Sequence, residues 1–262
     1  MDLRRGSKRI KSIYKGKNYI PGLMVNGRLW QGAPGKVILY PIDSNSDANC
    51  HKVYYGLDVD GSGKITNLVI ESGGIVKDAT VHHNGFFYAY RGVADNTNVA
   101  FQGSMSVVSG IANNTIVTGG GIMEVFATGT ANHTTVERDV YNNIGVMYVQ
   151  SGGTAHNTTV GDRGQVYISS GVHVSDIVVK SGGIVDITST HINSMYSSCF
   201  FSNVVIMSNG LVRLYDEAIV ENITVSSGGI LLVYNGGSAL NVTSMTDAEI
   251  QVHGGTITYT NK

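Results

Sequence analysis

Gly145 to Val160 reads Gly-Val-Met-Tyr-Val-Gln-Ser-Gly-Gly-Thr-Ala-His-Asn-Thr-Thr-Val, and its reading decides the fold. A Gly opens the unit and alternating apolar residues follow, here Met147 and Val149. A small-residue turn, an Asn-Thr-x-Val run and a further Gly complete it. The Asn position recurs as Asn67, Asp78, Asn96, Asn114, His133, Asn157, Asp176, Asn203, Asn222 and Asn241, most often 18 or 19 residues apart. Three residues later comes Val or Ile in nearly every copy, and four beyond that a Gly, as in Val81 and Gly85, Val99 and Gly103, Val160 and Gly164. A fixed period of about 20 residues with two strand-like segments per repeat is the mark of a stacked β-solenoid.

Counting from each Gly sorts the residues by face. The second and fourth positions are apolar, as in Met105 and Val107, Met123 and Val125, Val185 and Ile187, Leu231 and Val233. Strand side chains alternate, so these point inward. The recurrent Asn belongs at a turn, where its amide can satisfy backbone groups and the Asn of the next rung. The third and fifth positions point outward and hold Tyr88, Tyr90, Phe126, Tyr148, Tyr167, Tyr215 and Tyr234. Rungs stack about 4.8 Å apart, so these rings form a stripe. Such a stripe suits sugar rings or a protein partner, although Tyr is also simply a good strand residue. Two repeats are longer. One carries an insertion over 137–144, the other over 188–202, and the second holds His191, Tyr196, Cys199, Phe200 and Phe201. Loops on a rigid scaffold are common sites of binding, so Tyr196, Phe200 and Phe201 join the candidate ligand-binding set.

The first sixty residues do not follow the repeat. They open with Arg4, Arg5, Lys8, Arg9, Lys11, Lys15 and Lys17 against Asp2 alone. This is either a solvated arm or a dock for an acidic partner. Met24-Val25-Asn26-Gly27-Arg28-Leu29 places Asn-Gly between apolar runs, a hairpin signal. Lys36 to Tyr40 and His51 to Leu57 are further strands. The expected division is a basic arm with a small β-rich head over 1–60 and the solenoid over 61–262. Asp58, Asp60 and Ser62 have the spacing that begins an EF-hand loop, but position twelve is Val69 in place of the bidentate Glu. They form at most a weak Ca²⁺ candidate, against the alternative of an Asx-turn.

Composition narrows the classes further. Lys plus Arg number 18 against 19 Asp plus Glu, which gives no basis for nucleic-acid binding. No apolar run is long enough to span a membrane, and Met1 to Lys17 lack the apolar core of a Sec signal peptide. Gly is abundant at 34 residues and Pro scarce at 3, which fits many tight turns between short strands. No Cys-x-x-Cys, P-loop or nucleophile-elbow motif occurs, and no cofactor is expected.

The repeat resembles the passenger repeats of AIDA-type autotransporter adhesins. Ala155-His156-Asn157-Thr158-Thr159-Val160 and Ala112-Asn113-Asn114-Thr115-Ile116-Val117 carry the first half of that pattern, and Ser151-Gly152-Gly153, Ser181-Gly182-Gly183 and Ser227-Gly228-Gly229 its punctuation. The resemblance implies a right-handed parallel β-helix displayed outside a cell, and binding in preference to catalysis. Ile10 to Gly16 with Asn26 to Gln31 resembles a short module of phage tail and baseplate-associated proteins, in which the two segments pair. The functional expectation is a non-enzymatic display rod at a virion or cell surface that binds a surface glycan or protein receptor. Residues 1–60 would contact other virion or surface proteins, and self-association of rods is a further expectation. Two alternatives stand beside it: a β-helix polysaccharide depolymerase using carboxylates such as Asp186 and Asp216, and a purely structural self-assembling rod.

Overall fold

The computed structural model describes residues 53–61, 67–71, 73–188 and 200–260, together with short strands between residues 4 and 40. It is an all-β, right-handed parallel solenoid of about 10 turns, without a helix among the described residues. Two sheets, of 11 and 16 strands and parallel except for one strand at an edge, run the length of the rod.

One turn shows how sequence makes the rung. Val146–Val149 lies in the eleven-stranded sheet with Met147 and Val149 inward. The chain turns at Gln150–Gly153, where the Gly153 N–H donates to the Gln150 carbonyl. Thr154–Val160 then runs in the other sheet. Asn157 sits in its middle at φ 54. This left-handed residue breaks the period-two alternation. His156 and Asn157 both face outward, so Ala155 before them and Thr158 and Val160 after them all face the core. Asn, Asp and His tolerate this conformation better than branched residues do. They fill the site from Asp78 through Asn241, including His133 and Asp176.

The repeated Gly has a different cause. A Cβ on Gly164 would lie 2.0 Å from the Val136 carbonyl oxygen of the rung before, and one on Gly103 would lie 2.2 Å from that of Val81. The corner is closed too tightly for any side chain. The core is a set of columns: Met105, Met123 and Met147 stack in register on one side, and Ala112, Ala131 and Ala155 on the other. All are fully or almost fully buried.

Three details differ from the expectation. Asn67 is not a corner residue: it begins Asn67–Ile70 in the eleven-stranded sheet, opposite Phe86. The corner before Asp78 is made by Gly56 at φ 61, whose N–H donates to the Lys77 carbonyl just as that of Asp78 donates to Asp95. The ladder also begins ahead of residue 61. Val53–Tyr55 and Asp58–Asp60 already pair in parallel with the rung that follows. Finally, Val37–Tyr40 pairs antiparallel with Asn67–Ile70 and covers that edge of the sheet. In the head, Met24–Val25 pairs antiparallel with Arg28–Leu29 across Asn26-Gly27, the predicted hairpin. Tyr14–Lys15 pairs antiparallel with Asn18–Tyr19, and the rest of the Ile10–Gly16 segment lies outside the described residues.

Candidate functional site

Register assigns the outward residues of the eleven-stranded sheet to two neighbouring columns. One runs Tyr88, Ser106, Glu124, Tyr148, Tyr167, Asp186, Arg213, Leu232. The other holds Tyr90, Val108 and Phe126 near its start and Tyr234 opposite His253 near its end. The predicted aromatic stripe is therefore three patches. In the first, Phe86, Tyr88 and Tyr90 stack along a single strand at 6.1 Å per step, with the Arg91 guanidinium 4.9 Å from the centre of the Tyr90 ring. In the second, Tyr148 and Tyr167 stack across rungs at 5.2 Å. In the third, Tyr215 and Tyr234 stack at 4.6 Å with planes 3° apart, and His253 continues the stack at 5.3 Å.

The last two patches flank an ion pair. Arg213 donates to both carboxylate oxygens of Asp186, at 2.6 Å from Nε and 2.7 Å from Nη2. A fork of this kind is geometrically rigid. It raises the Arg213 pKa above its ordinary value, against the opposing effect of burial. Burial likewise raises the Tyr167 hydroxyl, helped by the negative charge of Asp186. Tyr215 is also raised by burial, with Arg213 opposing and Asp186 and Tyr234 adding to it. The Tyr167 hydroxyl donates to Gln165 Oε1 at 2.9 Å. The result is a flat, fixed surface of half-buried rings with an acid–base fork between them. Asp186, one of the two carboxylates considered from sequence, accepts from Arg213 through both of its oxygens.

The long insertion contributes differently from the expectation. Tyr196 lies outside the described residues. Phe200 opens the strand Phe200–Ile206, which belongs to the other sheet and pairs with His173–Val179. Phe201 is 2% exposed, between Val174 and Val220 in the inward column. Its ring is a core element and cannot take part in the outward face. The shorter insertion forms an ordered spur. Arg138 bonds Asp162 at 2.5 Å and also Asn142. Asp139 accepts from the N–H groups of Tyr141 and Asn143 and from the Asn143 amide. Burial acts to raise the Asp139 pKa, but these bonds and the Arg138 charge leave it lowered overall. Val140 and Tyr141 stand at the tip, 87% and 73% exposed. The sequence signal for them was only the insertion length.

The corner residues form a separate polar file. Asn241 donates to Asn222, Asn222 to Asn203, and Asn203 to Asp176 at 3.0 Å. In the earlier rungs Asn96 donates to Asp78, but Asn114 donates to Asp95, one position before its corner. A shallow groove of about 430 Å³ follows this corner, lined by His133, Asn157, Asp176 and Asn203 among others. It is a consequence of the inward bend at the left-handed residues.

No protein-family model matches the chain, and no curated protein matches it. Among solved structures, that of a TibC-catalysed, hyper-glycosylated TibA fragment is similar over 80% of this chain and 98% of that one, with 21% identity and a TM-score of 0.37. So distant a likeness transfers no residue's role. The function has to be read from the rod and its outward face.

Proposed function

We propose that the protein is a non-enzymatic binding rod, displayed at a cell or particle surface, whose eleven-stranded face holds a cell-surface glycan. The observation that carries this reading is the arrangement around the Asp186–Arg213 fork, with Tyr148 and Tyr167 stacked on one side and Tyr215 and Tyr234 on the other. The rings stack along the rod in two short files, the second of them continued by His253. Sugars need this combination: apolar ring surface for their C–H faces and fixed donors and acceptors for their hydroxyls. The face is held by backbone ladders on every rung, so little side-chain or loop ordering remains to be done on binding. Delivery on a phage or prophage tail and secretion as an adhesin are both consistent with a rod of this kind.

A glycan array probed with the intact protein tests the proposal, followed by prolonged incubation with the retained oligosaccharide. Retention with unchanged oligosaccharide length is expected. Shortened products that disappear in Asp186→Asn would replace the binding reading with a depolymerase. Absence of retention, together with binding to glycan-stripped cells, would make the partner a protein.

A further inference from the structure

A second cluster lies at the start of the rod, far in sequence from the Asp186–Arg213 fork. Asp58–Asp60 and Thr80–His82 pair in parallel, so that His82 stands directly opposite Asp60. The next residue, His83, turns out of the strand at φ 46, held by its N–H donating to the Phe101 carbonyl at 2.7 Å. This turn brings the two imidazoles together. His82 Nδ1 and His83 Nδ1 are 2.8 Å apart, with ring centres at 4.5 Å and planes at 62°. His83 Nδ1 is 3.6 Å from Asp60 Oδ2. The nitrogen and oxygen donors of Asp60, His82 and His83 all lie within 4.8 Å of one another. On the far side of the ring, His82 Nε2 meets Asp58 Oδ1 at 2.5 Å.

We infer that Asp60, His82 and His83 form a binding site for a divalent transition-metal ion of the zinc class, with Asp58 as the positioning residue. Two Nδ1 lone pairs aimed at one point must either share a proton or share a cation. Metal-bound His and carboxylate donors sit at about 2.0–2.2 Å, so three donors this close need only small rotations to converge. Two imidazoles and one carboxylate leave a fourth position for water, as in open zinc sites. Asp58 accepts from Nε2–H of His82, which fixes the tautomer that leaves Nδ1 free to ligate. The donor chemistry also changes the ion expected from the Asp58-x-Asp60-x-Ser62 spacing. Ca²⁺ takes six to eight oxygens, whereas imidazole selects zinc, nickel, copper and cobalt. The ligands come from adjacent rungs, so a bound ion would cross-link the first full rung to the second.

The test uses tag-free, chelator-treated full-length protein titrated with Zn²⁺ and Co²⁺ by calorimetry, with Co²⁺ absorption as the spectroscopic readout. One equivalent should bind, with visible bands of a low-coordinate Co²⁺ site and a raised melting temperature. Affinity should fall tenfold or more in His83→Ala and in His82→Ala, and about tenfold in Asp58→Ala, in line with the loss of an outer-shell partner. His156→Ala, four rungs further along the rod, should change nothing. Should a histidine variant fail to fold, Asp60→Asn carries the same test. Ca²⁺ binding that survives both histidine substitutions would overturn the inference, as would Zn²⁺ binding that is equally strong in His83→Ala.

Discussion

Thr158→Val should stabilise the rod. Thr97, Thr115, Thr134 and Thr158 occupy one inward column just after the corner, each at most 1% exposed. None of their hydroxyls has a hydrogen-bond partner in the protein. In the following rungs the same position is Ile177, Val204 and Ile223. A buried polar group left unsatisfied costs about 1–3 kcal/mol, and the methyl that replaces it is worth roughly 0.8 kcal/mol of apolar burial. Valine keeps the β-branch, so χ1 freedom barely changes. A net gain of about 1–2 kcal/mol follows, allowing for imperfect packing of the new methyl. For a chain of this size that raises Tm by roughly 2–4 °C per kcal/mol. Far-UV circular dichroism during thermal and urea unfolding reads it. Thr159→Val, one residue on and facing outward, is the control and should shift stability by less than about 0.5 kcal/mol. A lower Tm for Thr158→Val, or equal gains at both positions, would refute the assignment of this column to a dry interior.

Gly164→Ala should destabilise by several kcal/mol or prevent folding, because the new methyl would overlap the Val136 carbonyl at 2.0 Å; soluble yield and urea midpoint check it. Val149→Asp should unfold the rod, since an unpaired buried carboxylate costs several kcal/mol, while Tyr148→Ser, its outward neighbour, should cost far less; equal losses at the two positions would mean a shifted register. Asp176 accepts from Asn203 and Ser175, which hold its pKa below the ordinary carboxylate value. A depressed folded pKa contributes stability above the unfolded pKa and loses it as pH falls through the folded value. Asp176→Asn should therefore flatten the stability profile below about pH 4, measured as urea midpoints down an acid series.

The rungs were legible because each carries several agreeing signals: two inward apolar residues, a corner Asn and a Gly that nothing else can replace. Where a rung lacks one signal, its sequence is ambiguous. The first rung turns at Gly56 in place of Asn, so Val53–Asp60 lacks the corner signal, and Asn67 with Ile70 imitates the corner spacing inside a strand of the other sheet. Phe200 and Phe201 sat beside an insertion and read as one exposed pair, yet a strand alternates, and Phe201 falls inward. The aromatic face was visible as residue types at counted positions. Its division into patches was not, because Ser106 and Glu124 interrupt one column while Asp186 and Arg213 replace rings in it. The histidine cluster has no linear motif at all. It exists only because the corner geometry folds His83 back beside His82 and register sets Asp60 opposite.

The central claim is that the rings around Asp186 and Arg213 bind the ligand, and Tyr167→Ala combined with Tyr215→Ala tests it most directly. Affinity for the glycan retained on the array would be measured for both proteins by calorimetry, alongside their melting curves. A tenfold or greater loss of affinity, about 1.4 kcal/mol, is expected in a variant that keeps the circular dichroism of the rod. Undiminished affinity in that folded variant would contradict it and leave the rings as strand composition alone.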